Sequence, residues 1–146
     1  DVCEAPIDTS MTNGKVKKRG FSTDIEKDTV DNTNFRKVLY TAKYSQLVLM
    51  CLRPGEEIGM EAHDDGDQFF RFEEGEGFVS IDGHKHNVKD GSAVVVPSGA
   101  MHNVVNTGKT DLKMYTIYSP PEHKDKTVHR TKADVEEEHF DGKTTE

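Results

Sequence analysis

Residues 54–77 read PGEEIGMEAHDDGDQFFRFEEGEG, and residues 91–106 answer them with GSAVVVPSGAMHNVVN. Successive side chains of a strand point to opposite faces, so residues two apart share one, and Glu61 and His63 project to the same side. Asp64-Asp65-Gly66-Asp67 is turn chemistry. Gln68-Phe69-Phe70-Arg71-Phe72 then alternates, with Gln68, Phe70 and Phe72 on one face. A hairpin closed at 64–67 returns Gln68 to the side of His63. His102 belongs to a third candidate strand, 101–105, after the turn Pro97-Ser98-Gly99-Ala100. Nothing local carries it to the others; only a tertiary fold joining the two stretches makes one site of Glu61, His63, Gln68 and His102.

Outward from this pair the chain keeps a β rhythm. Residues 35–42 form the first credible strand, and 46–53 are a nearly continuous apolar run of the kind found where both faces are covered. Phe78-Val79-Ser80-Ile81 alternates into Asp82-Gly83, a strong hairpin signal, and 84–88 returns. Residues 92–96 enter the second stretch and 112–118 close the set before Pro120-Pro121. Turns spaced roughly 8–12 residues apart are the rhythm of a sandwich or barrel. Residues 1–34 are polar and without sustained period, an irregular or partly disordered arm. Residues 35–121 hold the barrel. Residues 122–146 are expected to form a short helix, capped by Thr131 and running through 134–138, and then a frayed tail from Asp141.

Gly55, five residues, Glu61, one residue, His63, four residues, Gln68, six residues and Gly75 follow the first cupin motif, G-x5-H-x-H-x3,4-E-x6-G, at its spacing. Gly91, Pro97, Gly99, His102 and Asn106 follow the second, G-x5-P-x-G-x2-H-x3-N, without exception. Two motifs in this order make a specific signal. Over residues 41–119 the chain resembles the small single-domain cupins, which implies an all-β fold, an antiparallel jelly-roll barrel, and a homodimer as in many small relatives. The resemblance also implies a divalent transition metal at the four motif positions, here Glu61, His63, Gln68 and His102. Two positions depart from the pattern: Glu61 stands where the family has histidine, and Gln68 where it has glutamate.

The substituted set remains chemically competent. Two imidazoles and one carboxylate are a recurrent ligand set for zinc or non-haem iron, with the Gln68 amide oxygen as a weak fourth donor, so one Mn, Fe, Ni or Zn ion is expected. Phe70, Phe72, Val104, Met114 and Tyr118 are the expected wall of a small apolar pocket beside it. An ion there polarises a carbonyl or hydroxyl, and Glu61 is the expected base for proton transfer. That favours isomerase-like or lyase-like chemistry on a small oxygenated metabolite, a sugar or sugar acid. Resemblance to sugar-phosphate isomerase-like and uronate-converting cupins, some of which place glutamine among the motif positions, points the same way. A metal-dependent dioxygenase and a non-catalytic binding module are the competing classes. His84 and His86 share a strand face without a third donor and are expected in solvent, as are His123, His129 and His139.

Composition bounds the partners. The 146 residues carry 33% hydrophobic and 32% charged side chains, a single modest domain, with a formal net charge of −8. The 19 Lys and Arg are scattered, leaving no basic stripe for nucleic acid or an anionic membrane. No apolar run approaches the ~18 residues of a spanning helix, and no secretory leader is visible, although the chain begins at Asp1 and Met11 is an alternative start. Cys3 and Cys51 make no disulfide framework, which suits a reducing cytoplasm. A small molecule is the expected partner.

Overall fold

The computed structural model describes residues 11–12, 15–136 and 138–146. Its elements are β1 (Met11–Thr12), β2 (Lys15–Val16), α1 (Ile25–Asp31), β3 (Arg36–Thr41), β4 (Gln46–Leu52), β5 (Asp67–Glu74), β6 (Glu76–Ile81), β7 (His84–Lys89), β8 (Ala93–Val96), β9 (His102–Asn106), β10 (Leu112–Ser119) and β11 (Val128–His129). All strand pairs are antiparallel, in a six-stranded sheet ordered β11-β3-β4-β10-β5-β8, a three-stranded sheet ordered β7-β6-β9, and the short β1-β2 pair. This is the all-β jelly-roll barrel the motifs imply. No helix among the described residues is long and apolar enough to cross a membrane.

The period-2 pattern decides what faces inward. Val48, Met50 and Leu52 of β4, Phe70 and Phe72 of β5, Val79 of β6, Val104 of β9, and Leu112 and Met114 of β10 form one buried cluster between the sheets. Each such side chain removed from water contributes about 1.5–3 kcal/mol. The alternate residues of β4, Leu49 and Cys51, are buried too, because α1 packs across β4, β10 and β5. That cover explains why 46–53 reads as a continuous apolar run. Desolvation pushes the Cys51 thiol up to about 11, so it is an inert packing group.

Three expectations need correction. The arm 1–34 is not wholly irregular: Asp24 caps α1 by accepting from the Lys27 N–H at 3.2 Å, and the Lys113 ammonium donates to the Val30 carbonyl at 2.6 Å. Seven residues are too few to show a helical period. Cys3 lies outside the described residues. After Thr131 the helix is a single 3-10 turn, Lys132–Asp134, where the Asp134 carboxylate accepts from the Thr131 N–H at 3.1 Å; of the rest of the expected span, residue 137 lies outside the described residues. The tail is not frayed. Thr145 donates to the Thr41 carbonyl at 2.9 Å, and the Glu146 carboxylate accepts from the N–H groups of Arg19 and Gly20 at 2.7 and 2.8 Å.

Residues 64–67 do not close a strand hairpin either. The preceding segment crosses to β9 instead, through isolated bridges Glu57↔Val105 and Glu61↔His102. Gln68 is paired on its two sides with Tyr118 of β10 and Val96 of β8. A turn-rich tetrapeptide between two candidate strands does not specify which strand the first one pairs with.

Candidate metal centre

The two motifs are laced together by main chain. Gly55 donates to Asn106 O at 3.1 Å, Asn106 to Glu56 O at 2.9 Å, Ile58 to Val104 O at 2.9 Å, Glu61 to His102 O at 2.9 Å, and His102 back to Glu61 O at 2.8 Å. The Pro97-x-Gly99 turn pins the other end, where the Gly99 N–H donates to His63 O at 2.9 Å with Gly99 at φ +82°, a left-handed conformation that favours glycine. Asn106, the last motif residue, is structural: its amide donates to Leu52 O and Thr110 O, both at 2.9 Å, and accepts from the Gly108 N–H at 2.9 Å.

This lacing brings Glu61, His63 and His102 together, with one donor atom from each lying within 4.8 Å of the others. Glu61 Oε1 is 3.3 Å from His63 Nε2 and 3.8 Å from His102 Nε2. His102 is 2% exposed, and its Nδ1–H donates to Ala100 O at 3.0 Å. That bond leaves Nε2 as the lone-pair nitrogen, and Nε2 is buried without a hydrogen-bond partner. Gln68, also 2% exposed, donates from Nε2 to the Thr116 hydroxyl at 3.0 Å. Thr116 spends its own proton on Phe69 O at 2.8 Å, so it can only accept from Gln68. The amide is thereby oriented, and its Oε1 is a second buried atom without a partner. Orphaned buried acceptors are costly. An ion pair among Glu61 and His63 alone leaves both orphans unexplained, whereas a divalent cation uses lone pairs of this kind, so the residues present are suited to a metal.

One participant was not legible in the sequence. Glu122, just past Pro120-Pro121, places Oε1 3.4 Å from His63 Nδ1, so His63 stands between two carboxylates. The Glu122 contact, then that of Glu61, raises the His63 pKa to about 10, and the same contact with His63 lowers that of Glu122. No local pattern marks Glu122, since its role depends on where the chain returns after β10. The other carboxylate oxygen of Glu122 lies 3.3 Å from His139 Nδ1.

Glu122 and His139 line a cavity of about 670 Å³ with Ala62, His63, Asp64, Asp65, Gly66, Asp67, Tyr118, Pro120, Pro121 and Phe140. Of the five residues expected around a pocket, Tyr118 borders this one; Phe70, Phe72, Val104 and Met114 are packed into the core at 0–1% exposure. The barrel interior is too small to leave those rings and methyls a free face. Tyr118 sets its ring edge-on to His63, and its hydroxyl is 3.3 Å from His123 Nε2. Burial raises the Tyr118 pKa, so the phenol stays protonated. Desolvation and the nearby Arg36 lower His123 to about 3, a half-buried neutral imidazole and not the solvated one expected. His129 is buried as well, accepting from Arg36 at 3.2 Å across the β11–β3 pair. His84, His86 and His139 are exposed.

Comparison with known proteins agrees with this architecture. The YrkC protein of Bacillus subtilis is 49% identical over 121 residues, covering 79% of this chain, and the chain spans 65% of that protein's length. The crystal structure of BH2720 from Bacillus halodurans superposes with a TM-score of 0.78 at 43% identity, covering 80% of this chain and 92% of that one. The oxalate-binding protein of Thermotoga maritima is 31% identical over 68 residues, 47% of this chain and 56% of its own. The cupin domain model matches residues 48–118, spanning both motifs and the strands that carry them, and the chain is a member of the small cupins.

Proposed function

We propose that Glu61, His63 and His102, with Gln68 Oε1 as a fourth donor, hold one divalent transition-metal ion, and that the site performs isomerase-like or lyase-like chemistry on a small oxygenated metabolite. The observation carrying this reading is His102 Nε2, a buried lone pair fixed by tautomer and left without a partner beside Glu61 and His63. Such an ion supplies Lewis-acid polarisation of a carbonyl or hydroxyl.

The chain's own groups supply the rest. Glu61, whose side chain is 36% exposed, is the base we assign to proton transfer at the carbon beside that carbonyl. Tyr118, its phenol protonated and in contact with His123, borders the cavity. Asp64, Asp65, Asp67 and Glu122 line the cavity, and among the described residues no Lys or Arg does. An anionic substrate meets repulsion there, which supports a neutral sugar-like substrate over a sugar acid.

The test is elemental analysis of protein purified without added metal, comparing wild type with His102→Ala. Near-stoichiometric metal in wild type and loss in the variant is the expected result; equal contents remove His102 from the ligand set. Solvent deuterium incorporation into a sugar panel then reads the chemistry, and oxygen uptake without such exchange would turn the reading to a dioxygenase. A second reading, binding of a small carboxylate without turnover, is favoured by the similarity to the Thermotoga oxalate-binding protein. A ligand-induced rise in Tm with no exchange in the metal-loaded protein would select it.

A further inference from the structure

The cupin match ends at residue 118, yet the candidate centre does not. Glu122 reaches it from beyond, and its main chain is held rigidly. Gln46, 1% exposed on β4, accepts from the N–H groups of Glu122 and His123 at 3.2 and 3.0 Å and donates to the His123 carbonyl at 2.7 Å. Phe140 adds a bond from its N–H to Glu122 O at 2.9 Å. With the backbone so clamped, the carboxylate is left to meet His63 Nδ1 at 3.4 Å on one oxygen and His139 Nδ1 at 3.3 Å on the other.

We infer that Glu122 is a positioning residue for the metal centre: it holds the Nδ1–H of His63 so that Nε2 is the free donor facing Glu61 and His102. The inference rests on the metal reading of the site proposed above. His102 is oriented in the same way, but by a main-chain acceptor, Ala100 O at 3.0 Å. Among the described residues the His63 ring has carboxylate partners, Glu61 and Glu122, and no such carbonyl. The segment around it is a turn whose own carbonyl is taken by Gly99, so orientation must come from a side chain outside the motif. A carboxylate behind a ligating imidazole both fixes its tautomer and raises its basicity. The site is therefore incomplete within the two motifs, and the segment after β10 is part of it.

Co²⁺ is the probe, with affinity measured by competition against a chelator and geometry read from the visible spectrum. Wild type, Glu122→Ala and Glu122→Gln are compared, together with the Tm of each metal-free protein. Because Gln46 clamps the backbone independently of the Glu122 side chain, the variants are expected to fold, with the metal-free Tm lowered by the loss of the His63–Glu122 contact. Glu122→Ala is expected to bind Co²⁺ about 10–100-fold more weakly with an altered spectrum, and Glu122→Gln, which keeps an acceptor oxygen, to recover most of the loss. Wild-type affinity and spectrum in Glu122→Ala would overturn the inference, as would equal losses in the Ala and Gln variants. Should Glu122→Ala not fold, Glu122→Met carries the same comparison, similar in length but without an acceptor. A wild type that binds no Co²⁺ would instead remove the metal reading itself, and this inference with it.

Discussion

Glu61 and His102 exchange two main-chain hydrogen bonds, 2.9 Å from Glu61 N to His102 O and 2.8 Å in return, so two candidate ligands from different motifs form a bridged pair before any ion arrives. Preorganisation of this kind separates ligand chemistry from backbone placement. Glu61→Gln removes the charge and leaves the bridge untouched. It is expected to fold, with the metal-free Tm lowered by the weakened His63 contact, and to lose metal affinity by more than about tenfold, the scale that loss of a mere orienting partner already costs. Chelator competition measures it, and wild-type affinity would take Glu61 out of the ligand set.

Stability of the metal-free protein is expected to peak near neutral to slightly acid pH and to fall on both sides for separate reasons. His123 is lowered from 6.5 to about 3 in the fold, by desolvation first. A depressed histidine contributes stability above its unfolded pKa that is lost as pH falls toward the folded value, so His123 acts between about 6.5 and 3. His63 is raised from 6.5 to about 10, by Glu122 first and Glu61 next. Its contribution is full below about 6.5 and is lost as pH rises through about 10. Tm measured against pH should therefore show a shallower acid limb in His123→Gln and a shallower alkaline limb in Glu122→Gln. An unchanged acid limb in the first variant would show that His123 titrates normally.

The strands were legible because each inward residue alternates with an outward one, and the turns between them carry Asp82-Gly83, Pro97-x-Gly99 and Gly91. His63 and His102 were legible for the same reason, being placed by motif spacing. Glu122, His123 and His129 were not, because their placement arises from a C-terminal return over the barrel that no period in 119–130 announces. The Glu61 strand was misjudged in its partner and not in its side: Glu61 and His63 do face one site, but by bridging to β9.

Gly77 tests how tightly the two sheets are closed. It is the second residue of β6, paired with Asn106, and a Cβ built there runs into the Val105 carbonyl and the Leu112 side chain. The obstruction is backbone, which has no rotamer to escape into. Gly77→Ala is expected to lower stability by more than about 2 kcal/mol, a Tm drop of roughly 4–8 °C for a domain of this size. Thermal melting decides it, and a neutral substitution would mean that β6 and β9 can part locally without cost.

Gln68→Glu restores the residue type of the family motif and asks whether this chain wants it. The Thr116 hydroxyl now accepts from the Gln68 amide because its proton is committed to Phe69 O at 2.8 Å. A carboxylate offers no proton to that hydroxyl, so one of the two bonds must break in a site where residue 68 is 2% exposed. Leaving a buried polar group unsatisfied costs about 1–3 kcal/mol, and a second carboxylate in the proposed ligand set adds repulsion. The metal-free variant should melt lower than wild type. Bound metal offsets both terms, since it neutralises the added charge and occupies an oxygen, so the rise in Tm on adding Zn²⁺ or Mn²⁺ should be larger in Gln68→Glu than in wild type. An equal or smaller rise would place Oε1 of residue 68 away from the ion and reduce the centre to Glu61, His63 and His102.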